Sequence, residues 1–239
     1  MNSKKNLLIF DLDGVLINSL PNMQYALKKT SLYLDQKLSF KEHKKYIGLP
    51  FEKIMLNMGA IGDYKYIKSL YIKFSNQNIS KVKILDVKLN ALKNLKKKNI
   101  LAIFTSKDKF RTYKILKKYH LFEHFITSDD IVKGKPNPEG ILKILKKTKI
   151  NKKKFYFIGD TKYDFLAAKA ARVNYLHVVW GIEKKLKYNN IKYIKSISEI
   201  KKLLPQTKTK SSFLDSFRQL KYAELSFKNF FPCNPISFE

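Results

Sequence analysis

The 239-residue sequence contains a single cysteine, Cys233. This excludes an intramolecular disulfide framework and any zinc site built from several thiolates. Long apolar runs are missing too: none approaches the roughly 18 residues that cross a bilayer. Near the start, the apolar run Leu7–Phe10 is cut off by Asp11. An export signal needs an apolar core of about 7–15 residues, so no signal peptide is expected and a reducing cytoplasm is the expected setting. Arginine is scarce, with only Arg111, Arg172 and Arg218 among 49 basic residues. Acidic residues number 19, which leaves a formal charge of +30. Base readout and bidentate phosphate recognition favour arginine, whereas here lysines are spread over every segment. The charge therefore reads as lysine-covered helix faces, and neither nucleic acid nor membrane is the expected partner. A small anionic substrate fits, because a positive surface steers it inward.

Hydrophobic residues make up 44% and aromatics 13% of the chain, which excludes bulk disorder. Short apolar or β-branched runs recur at Asn6–Phe10, Ile100–Phe104, Phe155–Ile158 and Tyr175–Val179, with a weaker one at Phe125–Thr127. Helical patterns lie between them at Lys109–Tyr119, Pro138–Lys147 and Thr161–Ala171. Strands alternating with helices predict βαβ units and a mainly parallel sheet covered on both faces, a three-layer α/β/α domain. Between Leu20 and Val82 the rhythm changes to helices alone, at Pro21–Tyr33, Phe40–Tyr46, Pro50–Met58 and Tyr64–Asn78, punctuated by Gly48, Pro50, Gly59 and Gly62. A helical module inserted after the first strand is expected. Beyond Pro205 a polar linker leads to Phe213, Phe217, Leu220 and Leu225 at helical spacing, with Ser211 or Ser212 as a cap. That tail reads either as a helix or weakly ordered end of the fold, or as a docking segment that makes a homodimer.

Four motifs carry chemistry. Asp11-Leu12-Asp13-Gly14 follows the first strand, and carboxylates at the carboxyl end of a buried strand are costly unless they bind something. Thr105-Ser106-Lys107 ends the second strand; a hydroxyl and the following N–H groups there suit a phosphate oxygen, or else cap the next helix. In Gly134-Lys135-Pro136-Asn137-Pro138-Glu139 the prolines hold Lys135 in place, where an ammonium near two carboxylates neutralises bound phosphate. Asp160 and Asp164, four apart after Phe155–Ile158, read as neighbours on one side of a helix start. Their hard oxygens suit Mg²⁺, with simple helix capping the alternative for Asp164.

In this order, each at a strand end, the motifs resemble those of the haloacid dehalogenase-like (HAD) superfamily of phosphohydrolases, and DLDGVLINS, FTSKD, GKPNP and GDTKYD are most similar to phosphoglycolate phosphatases. The resemblance spans roughly residues 6–204. It implies a Rossmann-like core from 1–18 and 83–204, a small helical C1-type cap from 19–82, and a C-terminal extension, 205–239, outside the analogy. It also implies a Mg²⁺-dependent phosphatase acting on a small phosphorylated metabolite. Asp11 is then the nucleophile, Asp13 the general acid and base, Thr105 and the main chain of Ser106 the phosphoryl ligands, and Lys135 the charge balance. Asp11, the main-chain carbonyl of Asp13, and Asp160 hold the metal, supported by Asp164. Asp13 and Asp160 favour phosphoryl transfer over carbon–halogen hydrolysis. Tyr46–Ile54 resembles the cap loop that leans over the active site in that family; in and beside it Lys44, Lys45 and Lys53 are candidates for a substrate anion, and Tyr46 and Phe51 for excluding water. His43, His120, His124 and His177 have no ligand spacing and take no role. The alternatives are a phosphomutase of the β-phosphoglucomutase type, which shares the four motifs, and a polyanion-binding protein.

Overall fold

The computed structural model describes residues 5–84, 86–148 and 150–205. Six strands form one sheet: β1 (Asn6–Phe10), β2 (Asn99–Phe104), β3 (His124–Ile126), β4 (Phe155–Gly159), β5 (Asn174–Val178) and β6 (Lys192–Ile194). Their order is β3-β2-β1-β4-β5-β6, and every neighbouring pair is parallel. β1 is central, with β2 on one side and β4 on the other. The strand order reverses there, which opens a crevice at the carboxyl ends of the strands.

The unbroken apolar character of β1, β2 and β4 follows from burial on both faces. Leu7, Ile9, Ala102, Phe104, Phe155 and Phe157 pack on one face against Ile141 and Ile144 of α7 (Glu139–Thr148) and Ala167, Ala168 and Ala171 of α8 (Lys162–Ala171). The alternate residues Leu8, Phe10, Leu101 and Ile103 are equally buried, so the second face is covered as well. α5 (Asp86–Lys96) precedes β2, α6 (Lys109–Leu116) follows it, and α9 (Ile200–Leu203) follows β6.

Between β1 and α5 the chain is helical: α1 (Leu20–Tyr33), α2 (Phe40–Tyr46), α3 (Phe51–Asn57) and α4 (Tyr64–Gln77). These helices share a hydrophobic cluster of their own, including Ala26, Leu27, Leu49, Ile54, Met55, Ile67 and Tyr71. Among the described residues no helix is long and apolar enough to cross a membrane.

Three elements, α5, β6 and the four-residue α9, have no counterpart in the expected set. α5 reads DVKLNALKNLK, and its lysines and asparagines leave only Leu92 and Leu95 fully buried. β6 is an edge strand of three residues whose first two are exposed, so it has no apolar run to announce it. The expected helix at Lys109–Tyr119 ends its α-helical turns at Leu116 and tightens to a 3₁₀ turn over Lys117–Tyr119. The tail residues Ser211, Ser212, Phe213, Phe217, Leu220 and Leu225 lie outside the described residues.

Candidate active site

The register of the sheet sets the site. Phe10 pairs with Ile103 of β2 and Ile158 of β4, so Asp11 leaves the sheet level with Phe104 and Gly159, and Thr105 and Asp160 follow one residue further on. The Asp11 N–H donates to the Ile158 carbonyl at 2.9 Å, which extends the ladder into the site. Gly14 then turns the chain with φ +83°, and a Cβ there would lie 2.0 Å from Asp160 Oδ2. Only glycine lets the Asp13 segment pass Asp160 this closely.

Asp160 and Asp164 do not share a helical face as expected. Asp160 precedes α8, and Asp164 is its third residue, in a capping box with Thr161. Asp164 Oδ2 accepts from the Thr161 hydroxyl at 2.7 Å and the Thr161 N–H at 3.0 Å. Its other oxygen faces Lys135 Nζ at 2.7 Å. One carboxylate thus both caps the helix and serves the site. Asp160 Oδ2 accepts from the Ile182 N–H at 2.7 Å, while its Oδ1 is buried with no hydrogen-bond partner.

Lys135 is wholly buried. Its ammonium donates to Asp11 Oδ1 at 2.5 Å and lies 4.9 and 5.2 Å from the ring centres of Phe104 and Phe157. Its loop is pinned by Glu139, which accepts from the Lys133 N–H at 2.7 Å and the Val132 N–H at 3.2 Å. Thr105 is buried, and its Oγ1 accepts from the Lys107 N–H at 3.2 Å, leaving its own proton to donate. The Ser106 hydroxyl turns to the helical insert and donates to the Gly48 carbonyl at 2.7 Å.

Charge is unbalanced here. Four buried carboxylates, Asp11, Asp13, Asp160 and Asp164, face two buried ammonium groups, Lys107 and Lys135. Burial pushes Asp11 up to about 7, against the pull of Lys135 and with the help of Asp164 and Asp13. Burial, then Asp164 and Asp11, push Asp160 well above the usual carboxylate range. Burial opposes the Lys135 charge, but Asp11 and Asp164 outweigh it and hold the lysine above its ordinary value. Asp11, Asp160 and Asp164 each offer an oxygen within 4.8 Å of the others. Three hard donors, a deficit of two positive charges and the orphaned Asp160 Oδ1 fit a divalent cation. The Asp13 side chain lies outside this trio and pairs with Lys107 Nζ at 3.1 Å.

Lys107 and Glu139 stand inside two of the motifs without a role assigned to their side chains, and Arg111 stands in none. Lys107 is one of many lysines and Arg111, though one of only three arginines, stands in no motif; their burial is what distinguishes them. Lys44, Lys45 and Lys53 are exposed, and Lys45 pairs with Glu42. The insert instead turns His43, Phe51, Lys68 and Tyr71 toward the cavity over Asp11. Tyr46 packs against the core of the insert.

Fold and site together define an α/β enzyme with an acidic, lysine-braced centre at the carboxyl edge of its sheet. The chain belongs to the haloacid dehalogenase-like hydrolase family, whose model matches residues 8–178. A Clostridium perfringens protein provisionally named a pyrophosphatase, PpaX, is 30% identical over 173 residues, covering 68% of this chain and 78% of its own. A phosphoglycolate phosphatase of Colwellia psychrerythraea is 28% identical over 195 residues, covering 74% and 86%. The solved structure of a haloacid dehalogenase-like family hydrolase from Streptococcus pneumoniae superposes with a TM-score of 0.72 at 20% identity, covering 84% of this chain and 98% of that one, a likeness of fold.

Proposed function

We propose that the protein is a Mg²⁺-dependent phosphatase that hydrolyses a small phosphate monoester through an aspartyl-phosphate on Asp11. The observation that carries this reading is Asp11 itself, a strand-end carboxylate held by Lys135 at 2.5 Å. The names of the relatives, a phosphoglycolate phosphatase among them, support a phosphorylated substrate.

The roles follow from charge and reach. The Asp11 carboxylate attacks phosphorus, the P–O ester bond breaks, and Asp13 protonates the departing oxygen. Asp13, now ionised, takes a proton from water; the water oxygen attacks phosphorus and Asp11 is released. Splitting one displacement into two lowers each barrier, and the proton transfers by Asp13 contribute about 10²–10⁴-fold. Thr105 and the Ser106 N–H bind phosphoryl oxygens, and Lys135 offsets the charge shared by Asp11 and the phosphate. Mg²⁺, held by Asp11, Asp160, Asp164 and the Asp13 main-chain carbonyl, would supply the electrostatic screening that lets a carboxylate approach a phosphate dianion.

On this reading residues 19–82 are a cap over a core of 1–18 and 83–204, with 205–239 a separate extension. Two contacts support it: Ser106 Oγ to Gly48, and Gly134 so close to Pro50 that a Cβ would lie 2.7 Å from Pro50 Cγ. The test is phosphate release from a panel of phosphorylated metabolites, with Mg²⁺ or EDTA, using Asp11→Asn as the blank. Mg²⁺-dependent release by the wild type alone supports the proposal. Interconversion of sugar phosphates without release would replace it with a phosphomutase.

A further inference from the structure

His43 lies in the last turn of α2 and is buried to 2% exposure. Its ring stacks between Phe40 and Tyr71, with centres 5.7 and 6.2 Å away and planes 18° and 22° apart. Its Nδ1 has no hydrogen-bond partner. The same side chain lines a cavity of about 60 Å³ that Asp11, Asp13 and Thr105 also line. At about 10–15 Å³ for each water-sized position, the space holds on the order of five waters, the size of a phosphate group with a short tail. Met23, Ile47, Leu49 and Ile54 give the lining an apolar part. The cations on this cavity are already engaged: Lys107 with Asp13, Arg111 with Asp108, and Lys68 with Glu52. On the insert's share of this lining Lys68 and Tyr71 carry polar groups too, but the His43 nitrogen is the one that is buried without any partner.

We infer that His43 is a specificity-determining residue whose Nδ1 hydrogen-bonds an oxygen on the leaving group of a short-chain phosphate monoester. This deepens the phosphatase reading and rests on it. A buried polar atom without a partner is a standing cost, and a ligand that supplies the partner recovers it. Burial lowers His43 to about 4, so at neutral pH the ring is uncharged. In one tautomer Nδ1 donates to a carboxylate; in the other it accepts from a hydroxyl. The common requirement is a polar oxygen within reach of the insert while the phosphate sits at Asp11.

The test compares three esters of matched length: 2-phosphoglycolate with a carboxylate, 2-hydroxyethyl phosphate with a hydroxyl, and ethyl phosphate with neither. His43→Phe keeps the stacked ring and removes the nitrogen; His43→Asn returns a polar atom near the position of Nδ1. For whichever polar ester the wild type prefers, His43→Phe raises KM about tenfold with kcat nearly unchanged, as loss of one binding hydrogen bond requires. His43→Asn recovers part of that loss, and ethyl phosphate kinetics stay the same in all three proteins. Equal changes for all three esters, or none, would overturn the inference and leave His43 a packing residue. Imidazole NMR resonances of His43 in the full chain give a readout independent of turnover. They shift on adding the polar esters to the Asp11→Asn protein and not on adding ethyl phosphate. No shift with either polar ester also overturns the inference, whereas a shift without turnover by the wild type would remove the phosphatase reading and keep the site.

Discussion

Lys107 Nζ lies 3.1 Å from Asp13 Oδ1, with both side chains almost wholly enclosed. The sequence places Lys107 two residues after Thr105, in the loop that meets the phosphate in the proposed reaction. Asp13 is thereby held toward the position from which it would serve the leaving oxygen. Burial lowers Lys107, with Asp13 opposing and Arg111 adding to the shift, so the pair is a balance of desolvation against attraction. Lys107→Met leaves a buried carboxylate unpaired, which costs about 3–5 kcal/mol of stability. It also lets Asp13 swing, so kcat falls by about 10–100-fold, part of the full acid–base contribution. Lys107→Met combined with Asp13→Asn removes the stranded charge. Chemical denaturation should therefore find the double variant more stable than Lys107→Met alone.

A metal requirement is testable without any substrate. Asp11, Asp160 and Asp164 crowd three carboxylates within 4.8 Å, and metal-free folding bears their repulsion. Mg²⁺ bound to the folded state alone raises stability by RT ln(1 + [L]/Kd), about 2.7 kcal/mol at a hundredfold excess over Kd. The melting temperature of the wild type should rise with added MgCl₂ and return with EDTA. Asp160→Asn removes one donor and relieves part of the repulsion. Its metal-free melting temperature should match or exceed that of the wild type, and its response to Mg²⁺ should vanish. An undiminished response would move the metal away from Asp160.

The motif residues were legible because chemistry forces them to strand ends. Asp11, Thr105 and Asp160 each follow an apolar run, and the register of β1 with β2 and β4 brings them together. Lys135 was legible through its prolines. The pair Asp160 and Asp164 was placed correctly in space for a mistaken reason: the spacing suggested one helical face, whereas a strand-end turn and a capping box bring the two carboxylates together. Lys107 was hidden, since a lysine in a chain of charge +30 gains meaning only once it is buried, and Arg111 because no motif surrounds it. α5 and β6 were hidden for a related reason: with few apolar residues, both are defined by their neighbours.

Arg111 ties the segment after β2 to the helices α1 and α4. Its guanidinium pairs with Asp108, donates to Ser75 Oγ of α4 at 3.1 Å, and lies 5.6 Å from the centre of the Tyr71 ring. Ser75 in turn donates to Asn22 of α1 at 2.7 Å. A planar fork is needed to reach carboxylate, hydroxyl and ring together, and lysine has none. Arg111→Lys should therefore destabilise by roughly 1–3 kcal/mol, the cost of leaving buried partners unsatisfied. Urea denaturation checks the loss, and Arg111→Lys with Ser75→Ala should cost less than the sum of the single changes.

The loop that carries Lys135 has an acid-sensitive anchor in Glu139. Hydrogen bonds from Lys143 and from the Lys133 and Val132 N–H groups lower this carboxyl from its ordinary 4.5 to about 2. The folded state thus holds the proton less tightly than the unfolded chain. The contribution is fully present above about 4.5 and disappears as pH falls toward about 2. The Glu139 side chain is partly exposed, so salt should weaken its pairing with Lys143 while leaving the backbone hydrogen bonds in place. Glu139→Gln should lower stability at pH 6 and converge on the wild type near pH 2. Melting curves of the two proteins across that range, each in EDTA to hold the metal state constant, measure the difference. A gap that stays constant from pH 6 to pH 2 would show that the Glu139 charge does not hold the loop.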